Sequence, residues 1–478
     1  MEKLKGIIIY GAGRYASALY RYLWIKGRKD QIVCFAVTDM PEQKSELYGI
    51  PIKKFEAIKQ ECMDAEVVVA IKQAEQVVDM LRQQKINKID VITPENIKMM
   101  QSEWNQYLAQ LPIQRNKIIF TCFAGKGYEC NCKYVAEELL KENRPVDMVW
   151  CVSKKGAYQF PKGIRQIECG SPEYYAEVCS TAVMISNNDN APVQKKNEMY
   201  FINMWHGTGP FKKVNASIAA NRNDAEWMQR MKDVYNQTDL FVSNSADNSE
   251  MFRESFLYDG EILECGSPRN DILFEHNDIR NQVCNQLNID CEKKILLYAP
   301  TFRDDVETSF AKYTLDMKKV LQVLHARFGE EYILLYRFHQ KLREYKNYED
   351  FYPFGINVTM YPDVMELVVA ADVLITDYSS IMWDFSLQKR PVFLYHNDEK
   401  EYINDRDFYW PVSRWPYIVA HTSDEMCEKI LSFDEQDYLM RLDKFFKEDP
   451  SYDDGHASER LVERIMDVME HPEKYGKA

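Results

Sequence analysis

The sequence has no excess of basic residues: 60 lysines and arginines face 74 aspartates and glutamates, for a formal net charge of −14. Proteins that bind nucleic acid usually present a basic face, so this balance argues against that class of protein. An anionic small ligand is not excluded, because the charge of one pocket can oppose the charge of the whole chain.

Long apolar runs are also missing, and no stretch approaches the roughly 20 residues that a membrane-spanning helix needs. The N-terminus shows no signal-peptide pattern, and the twelve cysteines are scattered along the chain. Cys130 and Cys132 form an isolated CxC without a second cysteine or histidine pair at zinc spacing. We therefore expect reduced thiols, a cytoplasmic protein without a metal site, and at most a peripheral contact with the membrane.

What the sequence does contain is a repeated alternation of short apolar runs and helical patterns over its 478 residues. This alternation is typical of parallel sheets with crossover helices, and the length predicts more than one domain. We predict a small Rossmann-like α/β module at 1–97, a linker helix at 98–116, and two larger α/β domains at 117–275 and 276–478. The last of these is expected to end in a helix.

The first domain opens with a glycine-rich turn, GAGRYA, between an apolar strand and an amphipathic helix. Gly11 permits the tight turn, Gly13 lets a ligand approach the backbone, and Asp39 follows the second strand where a ribose would lie. The helix N-terminus offers unpaired N–H groups to a phosphate. A nucleotide or NAD site is one interpretation, and a close strand-to-helix turn that binds nothing is the other.

A second glycine-containing stretch, WHGTGPFKK, places one of only eight histidines at the end of a buried strand. A neutral imidazole beside such a loop can accept a proton from an attacking hydroxyl. Lys212 and Lys213 supply positive charge, and the glycines let a ligand come close to the main chain. For His206, a purely structural role at the strand end is the alternative.

Five further segments accompany this stretch, namely FAGKGY at 123–128, GSPRND at 266–271, LYAPTFRDD at 297–305, YRFHQK at 336–341 and ITDYSSIMWDF at 375–385. Together with the histidine stretch they resemble the CDP-glycerol glycerophosphotransferase family, which includes teichoic acid primases and polymerases. The resemblance spans about residues 117–470, so the first domain is an appended module.

The resemblance implies a GT-B architecture, in which two Rossmann-like domains face each other across a cleft. It implies transfer of glycerol phosphate from CDP-glycerol to a lipid-linked or polymeric acceptor, with release of CMP and no required cofactor. His206 becomes the candidate base and His339 a contact to the donor phosphate. The acceptor side then contains Lys126, Gly207, Thr208, Lys212 and Lys213.

The donor side is expected in the last domain, at the carboxyl ends of its strands. Ser379 and Ser380 begin a helix whose N–H groups can hold a pyrophosphate, although serine is also a common structural N-cap. Asp384, one turn along, either accepts hydrogen bonds from a ribose or only favours the helix dipole. Basic side chains would neutralise the leaving CMP. The full donor set is Thr301, Arg303, Arg337, Asp377, Ser379, Ser380 and Asp384.

Several alternatives stay open. A donor site for CDP-ribitol or another CDP-polyol would look the same, and the acceptor is undefined because Gly209 lengthens the histidine loop relative to the family pattern. An oxidoreductase or a sensor acting through GAGRYA belongs to a different class, and no catalytic pair is recognisable near that loop. The helical pattern at 225–237 is either a packing helix or a membrane contact, and the first domain either senses a nucleotide or mediates homo-oligomerisation.

Overall fold

The computed structural model describes residues 6–40, 45–188, 194–207, 212–218, 223–275, 278–303, 305–342, 351–405 and 407–477. The chain divides into two compact units. The first unit comprises 1–114, 167–180 and 193–196, and the second comprises 115–166, 181–192 and 197–478. Residues 167–180, which the sequence assigns to the second predicted domain, thus belong to the first unit. The boundaries of the three predicted domains stay a prediction.

The first unit is built on a mainly parallel sheet. Its strands are β1 (Ile7–Tyr10), β2 (Ile32–Val37), β3 (Glu46–Leu47), β4 (Ile50–Lys54), β5 (Glu66–Val69) and β6 (Ile89–Val91). Their order is β3-β4-β2-β1-β5-β6, and the pair β3–β4 is antiparallel. β1 lies in the middle of the sheet and all four of its residues are buried, as expected for a parallel strand covered on both faces.

The helices that accompany this sheet are α1 (Arg14–Ile25), α2 (Lys59–Asp64), α3 (Glu75–Gln83) and α4 (Pro94–Gln110). α4 begins earlier than the predicted linker helix, because Thr93 and Asn96 form a reciprocal capping box at its start. The Trp104 ring of α4 lies edge-on to the Trp24 ring of α1, with centroids 6.0 Å apart. The predicted linker helix is therefore packed into the first unit.

The second unit contains two sheets. The strands of the sheet nearer the N-terminus are β7 (Gln114–Thr121), β8 (Asp147–Val152), β9 (Ile164–Glu168), β10 (Thr181–Ser186), β11 (Tyr200–Asn203), β12 (Leu240–Ser243) and β13 (Glu261–Glu264). Their order is β13-β12-β11-β10-β7-β8-β9. The helices in this part of the chain are α5 (Cys130–Lys141), α6 (Pro172–Val178), α7 (Ala225–Tyr235) and α8 (Ala246–Ser255), of which α6 belongs to the first unit.

The other sheet of the second unit is parallel throughout. Its strands are β14 (Lys294–Ala299), β15 (Tyr332–Tyr336), β16 (Ile356–Asn357), β17 (Val373–Thr376), β18 (Val392–Tyr395) and β19 (Ile418–Ala420), in the order β16-β15-β14-β17-β18-β19. Its helices are α9 (Ile279–Leu287), α10 (Val306–Lys312), α11 (Met317–Phe328), α12 (Val364–Ala370), α13 (Ile381–Ser386), α14 (Glu399–Asp405), α15 (Ser423–Leu431), α16 (Glu435–Glu448) and α17 (Ala457–Glu470).

The last helix, α17, packs next to β13, the edge strand of the sheet nearer the N-terminus. The Asp271 carboxylate, just after β13, accepts hydrogen bonds from the backbone N–H groups of Ala457 (2.9 Å) and Ser458 (2.7 Å), and so caps α17. Arg464 on the same helix pairs with Glu261 of β13 at 2.6 Å. The two sheets of the second unit form the expected GT-B pair, preceded by the Rossmann-like sheet of the first unit. Among the described helices, none is both long and apolar enough to cross a bilayer.

Candidate active site

The histidine loop begins where β11 leaves the sheet. Trp205 adopts a left-handed backbone conformation (φ 53°), which turns the chain sharply after a fully buried strand. The Nδ1 atom of His206 lies 2.7 Å from the backbone carbonyl oxygen of Asn187. Because a carbonyl only accepts hydrogen bonds, Nδ1 carries the proton and the neutral ring holds its lone pair on Nε2. The half-buried His206 thus has the tautomer that a general base requires.

Asn187, which the sequence analysis missed, forms hydrogen bonds that connect the ends of β7, β10 and β11. β7 and β10 end side by side, since the Asn187 N–H donates to the Thr121 carbonyl at 3.4 Å. Its side-chain oxygen accepts a hydrogen bond from the Phe123 N–H at 2.9 Å, and its carbonyl orients His206. The only available signal was a polar residue directly after a buried strand of a parallel sheet, where ligands collect.

The serine turn, Asp377 to Ser380, follows β17 and leads into α13. Ser380 is the N-cap of α13, but its side chain makes no capping hydrogen bond among the described residues. A Cβ atom placed on Gly207 would lie 3.3 Å from the Ser380 hydroxyl oxygen. The structure therefore brings the histidine loop and the serine turn, predicted for opposite sides of the reaction, into direct proximity.

Arg303 joins the loops after β14, β17 and β18. Its guanidinium lies 3.0 Å from the carboxylate of Asp377 and 2.8 Å from that of Asp398, and all three side chains are buried. Burial alone would raise the pKa of Asp398, but hydrogen bonds from Arg303 and the Tyr378 hydroxyl lower it below its ordinary value. The predicted donor residues Arg303 and Asp377 thus pair with each other, which fixes the loops around the cleft.

Thr301 is the other predicted donor residue on the loop after β14. Its N–H donates to the Asp377 carboxylate at 2.8 Å. Its hydroxyl oxygen is buried and has no hydrogen-bond partner within the described ranges. Since a buried polar atom without a partner costs free energy, this hydroxyl is suited to a ligand contact.

Arg337 and His339 both follow β15, and they differ in burial. The Arg337 guanidinium is buried and donates to the carbonyl oxygens of Val358 (3.0 Å) and Tyr361 (2.6 Å). It also lies 3.7 Å from the Glu129 carboxylate, at the start of α5. The His339 side chain is exposed, and its Nδ1 accepts the Lys341 N–H at 3.2 Å, which leaves the proton of the neutral ring on Nε2. A ring of this tautomer can donate a hydrogen bond to a phosphate.

The predicted acceptor lysines have different surroundings. Lys126 is exposed in the turn before α5. Lys213 forms an ion pair with Asp407, and the backbone of Lys212 pairs with that of Phe408 as an isolated antiparallel bridge. Lys126 is therefore better placed than Lys213 to receive an anionic acceptor. Thr208, predicted to bind the acceptor, and Gly209, predicted to lengthen the loop, lie outside the described residues.

Two residues that the sequence analysis did not select, Arg269 and Asn131, support the histidine loop. The Asn131 side-chain amide donates to the carbonyl oxygens of Met204 and Trp205, each at 3.3 Å. Arg269, in the 3₁₀ helix Pro268–Leu273, donates to the His206 carbonyl oxygen at 2.8 Å. Arg269 stood in a recognised motif, but nothing in the sequence indicated which atoms it contacts.

Asp384 is the partner of Arg269. Its carboxylate lies 2.6 Å from the guanidinium, and both side chains are buried. The contact of Asp384 with a ribose thus stays a prediction, while its contact with Arg269 is present in the structure.

The glycine turn of the first unit has the expected strand–turn–helix form. Gly11 has a φ of 119°, and a Cβ atom there would come within 2.7 Å of the Ala70 carbonyl oxygen. Gly13 is the N-cap of α1, with no atom of the described residues within 4 Å of its Cβ position, and Asp39 is exposed beyond β2. Gly11 is required by the close approach of two strand ends, and a ligand at this turn stays a prediction.

Within the described ranges, no group of three or more His, Cys, Asp and Glu side chains is arranged to hold a metal ion. The Cys130 thiol lies 3.7 Å from the Arg269 guanidinium, and Cys132 donates to the Thr121 carbonyl oxygen at 3.7 Å. These thiols take part in packing around α5.

The fold is that of the GT-B class, and the candidate site residues lie at the carboxyl ends of strands from its two sheets. The chain belongs to the CDP-Glycerol:Poly(glycerophosphate) glycerophosphotransferase family, whose model matches residues 104–467. It is 30% identical over 377 residues to the teichoic acid poly(glycerol phosphate) polymerase of Staphylococcus epidermidis, covering 75% of this chain and 52% of that protein. The chain thus spans about half the length of that relative.

Two further relatives match over nearly their whole length. The teichoic acid glycerol-phosphate transferase of Staphylococcus aureus is 29% identical over 374 residues, which are 75% of this chain and 95% of that protein. A solved variant of the wall teichoic acid polymerase TagF, soaked with CDPG, is 26% identical with a TM-score of 0.68. It aligns over 84% of this chain and 100% of that chain.

Proposed function

We propose that this protein transfers glycerol phosphate from CDP-glycerol to a hydroxyl of a lipid-linked or polymeric acceptor and releases CMP. One observation carries the proposal: His206, whose Nδ1 is held by the Asn187 carbonyl, lies on a loop that comes close to the serine turn at Gly207 and Ser380. A base and a phosphate-binding turn at one place suit the displacement at phosphorus that this family performs.

The transfer would proceed as a single displacement. The acceptor oxygen forms a bond to the phosphorus that carries glycerol, and its proton moves to Nε2 of His206. The bond between that phosphorus and the bridging oxygen breaks, and its electron pair leaves with CMP. Positioning and charge stabilisation account for most of the rate in phosphoryl transfer, so the protein needs no covalent intermediate.

The donor is assigned from the serine turn and its surroundings. The Ser379 and Ser380 hydroxyls and the buried Thr301 hydroxyl lie on loops that the Arg303–Asp377 pair fixes. His339 can donate to a phosphate oxygen from Nε2. The CDPG soak of the TagF variant supports a CDP-polyol as the donor of this chain.

The acceptor, location and cofactor requirement are proposals of the same kind. The exposed Lys126 would receive an anionic acceptor such as a glycerol-phosphate chain. We place the protein in the cytoplasm at the inner face of a membrane, where a lipid-linked acceptor is anchored and free cysteines stay reduced. We propose that side chains and helix ends supply the positive charge, without a cofactor or a metal, so that a chelator leaves the rate unchanged.

The experiment that tests the proposed function is a measurement of CMP release. CDP-glycerol, CDP-ribitol and a UDP-sugar would be offered as donors, with a membrane extract or a short glycerol-phosphate oligomer as the acceptor. We expect release from CDP-glycerol and a fall of about 10²- to 10⁴-fold in His206→Ala, the range for loss of a general base. His325→Ala is the matched control, because its Nδ1 also lies near a backbone carbonyl oxygen (3.1 Å), but its side chain is exposed on helix α11.

Two other outcomes would change the proposal, one in the donor and one in the class of protein. Release from CDP-ribitol alone would leave the reaction class intact and replace the donor. No release from any CDP-polyol, together with tight binding of NAD by the first unit, would overturn the transferase proposal in favour of an oxidoreductase or sensor.

A further inference from the structure

The guanidinium of Arg269 connects two loops that come from different sheets. Its Nη1 donates to the carbonyl oxygen of His206 at 2.8 Å, on the loop after β11. Its Nη2 lies 2.6 Å from the carboxylate of Asp384, on the helix after β17. The same side chain therefore touches the backbone of the candidate base and the helix that carries the serine turn.

The Arg269 backbone adds a second connection to the histidine loop. The Arg269 N–H donates to the Asn131 side-chain oxygen at 3.0 Å. The amide nitrogen of Asn131 in turn donates to the carbonyl oxygens of Met204 and Trp205. The three residues that lead from β11 to the imidazole, 204 to 206, are thus held through their carbonyl oxygens by Arg269 and Asn131.

The ion pair is buried on both sides. Arg269 is 6% exposed and Asp384 is 1% exposed. Burial would lower the pKa of Arg269, but the Asp384 carboxylate raises it above its ordinary value, so the group stays charged. A buried ion pair often contributes little net stability, since the charges lose their hydration, and its best-attested value is in fixing one arrangement of the chain.

The arrangement that this pair fixes is the one that the transfer needs. Asp384 lies one turn after Ser380, and the Cβ position of Gly207 lies 3.3 Å from the Ser380 hydroxyl oxygen. A shift of α13 away from the histidine loop would therefore separate the base from the donor phosphate. A misplacement of about 1 Å is enough to cost roughly 10²-fold in rate.

We propose that Arg269 is a positioning residue of the transfer reaction: its ion pair with Asp384 holds the His206 loop in register with the Ser379–Ser380 turn. This inference rests on the proposed function, because its effect is read from CMP release. Arg269, the arginine of the PRND segment, thus aligns the base with the donor, and Asp384 holds the Arg269 guanidinium in place.

The first test is Arg269→Lys, compared with Arg280→Lys as a matched control. Arg280 makes the same kinds of contact outside the cleft: its guanidinium lies 3.0 Å from Asp372 and donates to the Lys293 carbonyl oxygen at 2.7 Å. A lysine keeps the charge but cannot reach two partners in fixed directions. We expect Arg269→Lys to lower kcat by about 10- to 100-fold with KM for CDP-glycerol within about 3-fold. Arg280→Lys should lower only the Tm.

The second test is a double-mutant cycle with His206→Ala. If Arg269 acts by placing the imidazole, Arg269→Lys should cost much less in kcat once His206 has been replaced. The inference would be overturned if the two single-variant losses in kcat multiplied in the double variant. It would also be overturned if kcat fell as much in Arg280→Lys as in Arg269→Lys. Asp384→Asn, which keeps a hydrogen-bond acceptor, gives the same comparison if Arg269→Lys does not fold. A wild-type protein that releases no CMP from any CDP-polyol would refute the proposed function instead.

Discussion

Two turns in this molecule have the same form, a buried parallel strand that passes through a short turn into a helix, and they differ in what lies around them. At the turn after β1, Gly11 leaves no room for a Cβ atom, while in the part of the chain that the structure describes nothing lies within 4 Å of the Cβ position of Gly13. At the turn after β17, the buried Asp377 pairs with Arg303, and Ser380 lies next to the histidine loop.

The shape of a strand-to-helix turn does not by itself define a site. Both turns present backbone N–H groups at the start of a helix, and both would attract a phosphate on that ground alone. Only the turn after β17 combines this with fixed charges and a histidine in the required tautomer.

The largest effect is expected from removal of the charge behind the serine turn. Arg303→Met leaves the buried carboxylates of Asp377 and Asp398 without their partner, which should cost about 3–5 kcal/mol of stability. Unfolding followed by calorimetry would measure it. Lys389→Met, which breaks an exposed pair with Asp443, is the control and should cost at most about 1 kcal/mol. Equal losses in the two variants would mean that the buried pair does not support the turn.

A smaller effect is expected at the glycine turn. Gly11→Ala should cost about 1–3 kcal/mol in the first unit, because its φ is unfavourable for alanine and its Cβ would meet the Ala70 carbonyl oxygen. Gly13→Ala should cost less than about 1 kcal/mol, since only the N-cap preference changes. Thermal unfolding and CMP release would be measured on both. We expect CMP release to be unchanged, and its loss in Gly13→Ala would show that the first turn takes part in the reaction.

The smallest effect concerns charge balance in a second buried cluster. Lys133 on α5 lies 2.8 Å from Asp363 and 2.8 Å from Glu366. Glu137, one turn after Lys133 on α5, interacts electrostatically with all three. Burial raises the pKa of Glu137 to about 7, Lys133 opposes the rise, and the other two carboxylates add to it. With Glu137 included, this cluster has three carboxylates for one cation, whereas Arg303 faces two carboxylates.

A raised carboxyl pKa destabilises the fold at high pH, since the folded state binds the proton more tightly than the unfolded state. The cost of Glu137 should be absent below about pH 4.5 and should grow as the pH rises to about 7. Glu137→Gln should therefore raise the free energy of unfolding at pH 8 by an amount on the order of 1–2 kcal/mol, which a higher Tm would show. At pH 4.5 the Tm should change little. Glu138→Gln on the same helix controls for loss of a carboxylate. An equal shift of the Tm at both pH values would contradict the assignment.

The sequence was sufficient for the central strands and for the fold class. The apolar runs that contain β1, β7, β14 and β17 are long and flanked by glycines or polar residues, so they predict buried parallel strands. The hydrophobic pattern is too weak to predict β3, β4, β9, β16 and β19, which lie at or next to sheet edges. Edge strands are short and half-buried, and their residues carry little of the hydrophobic pattern on which the prediction depends.

The motifs of the second unit were recognised together, and the GT-B prediction is confirmed. Residue types at strand ends identified His206, Ser380 and Thr301 as candidates because ligands collect at the carboxyl ends of parallel strands. Asn187, Asn131 and Arg269 could not be assigned in this way. Each acts through a contact with residues far away in sequence, which spacing along the chain does not reveal.

The sequence by itself determined which segments become buried strands, which turns require glycine, and which family the chain belongs to, because these depend on local pattern and residue type. Only the tertiary structure decided which nitrogen of His206 carries the proton, which arginines are paired, and that Gly207 lies against Ser380. Those properties depend on distances of a few ångströms between loops from different strands and sheets, and packing of the whole second unit sets them.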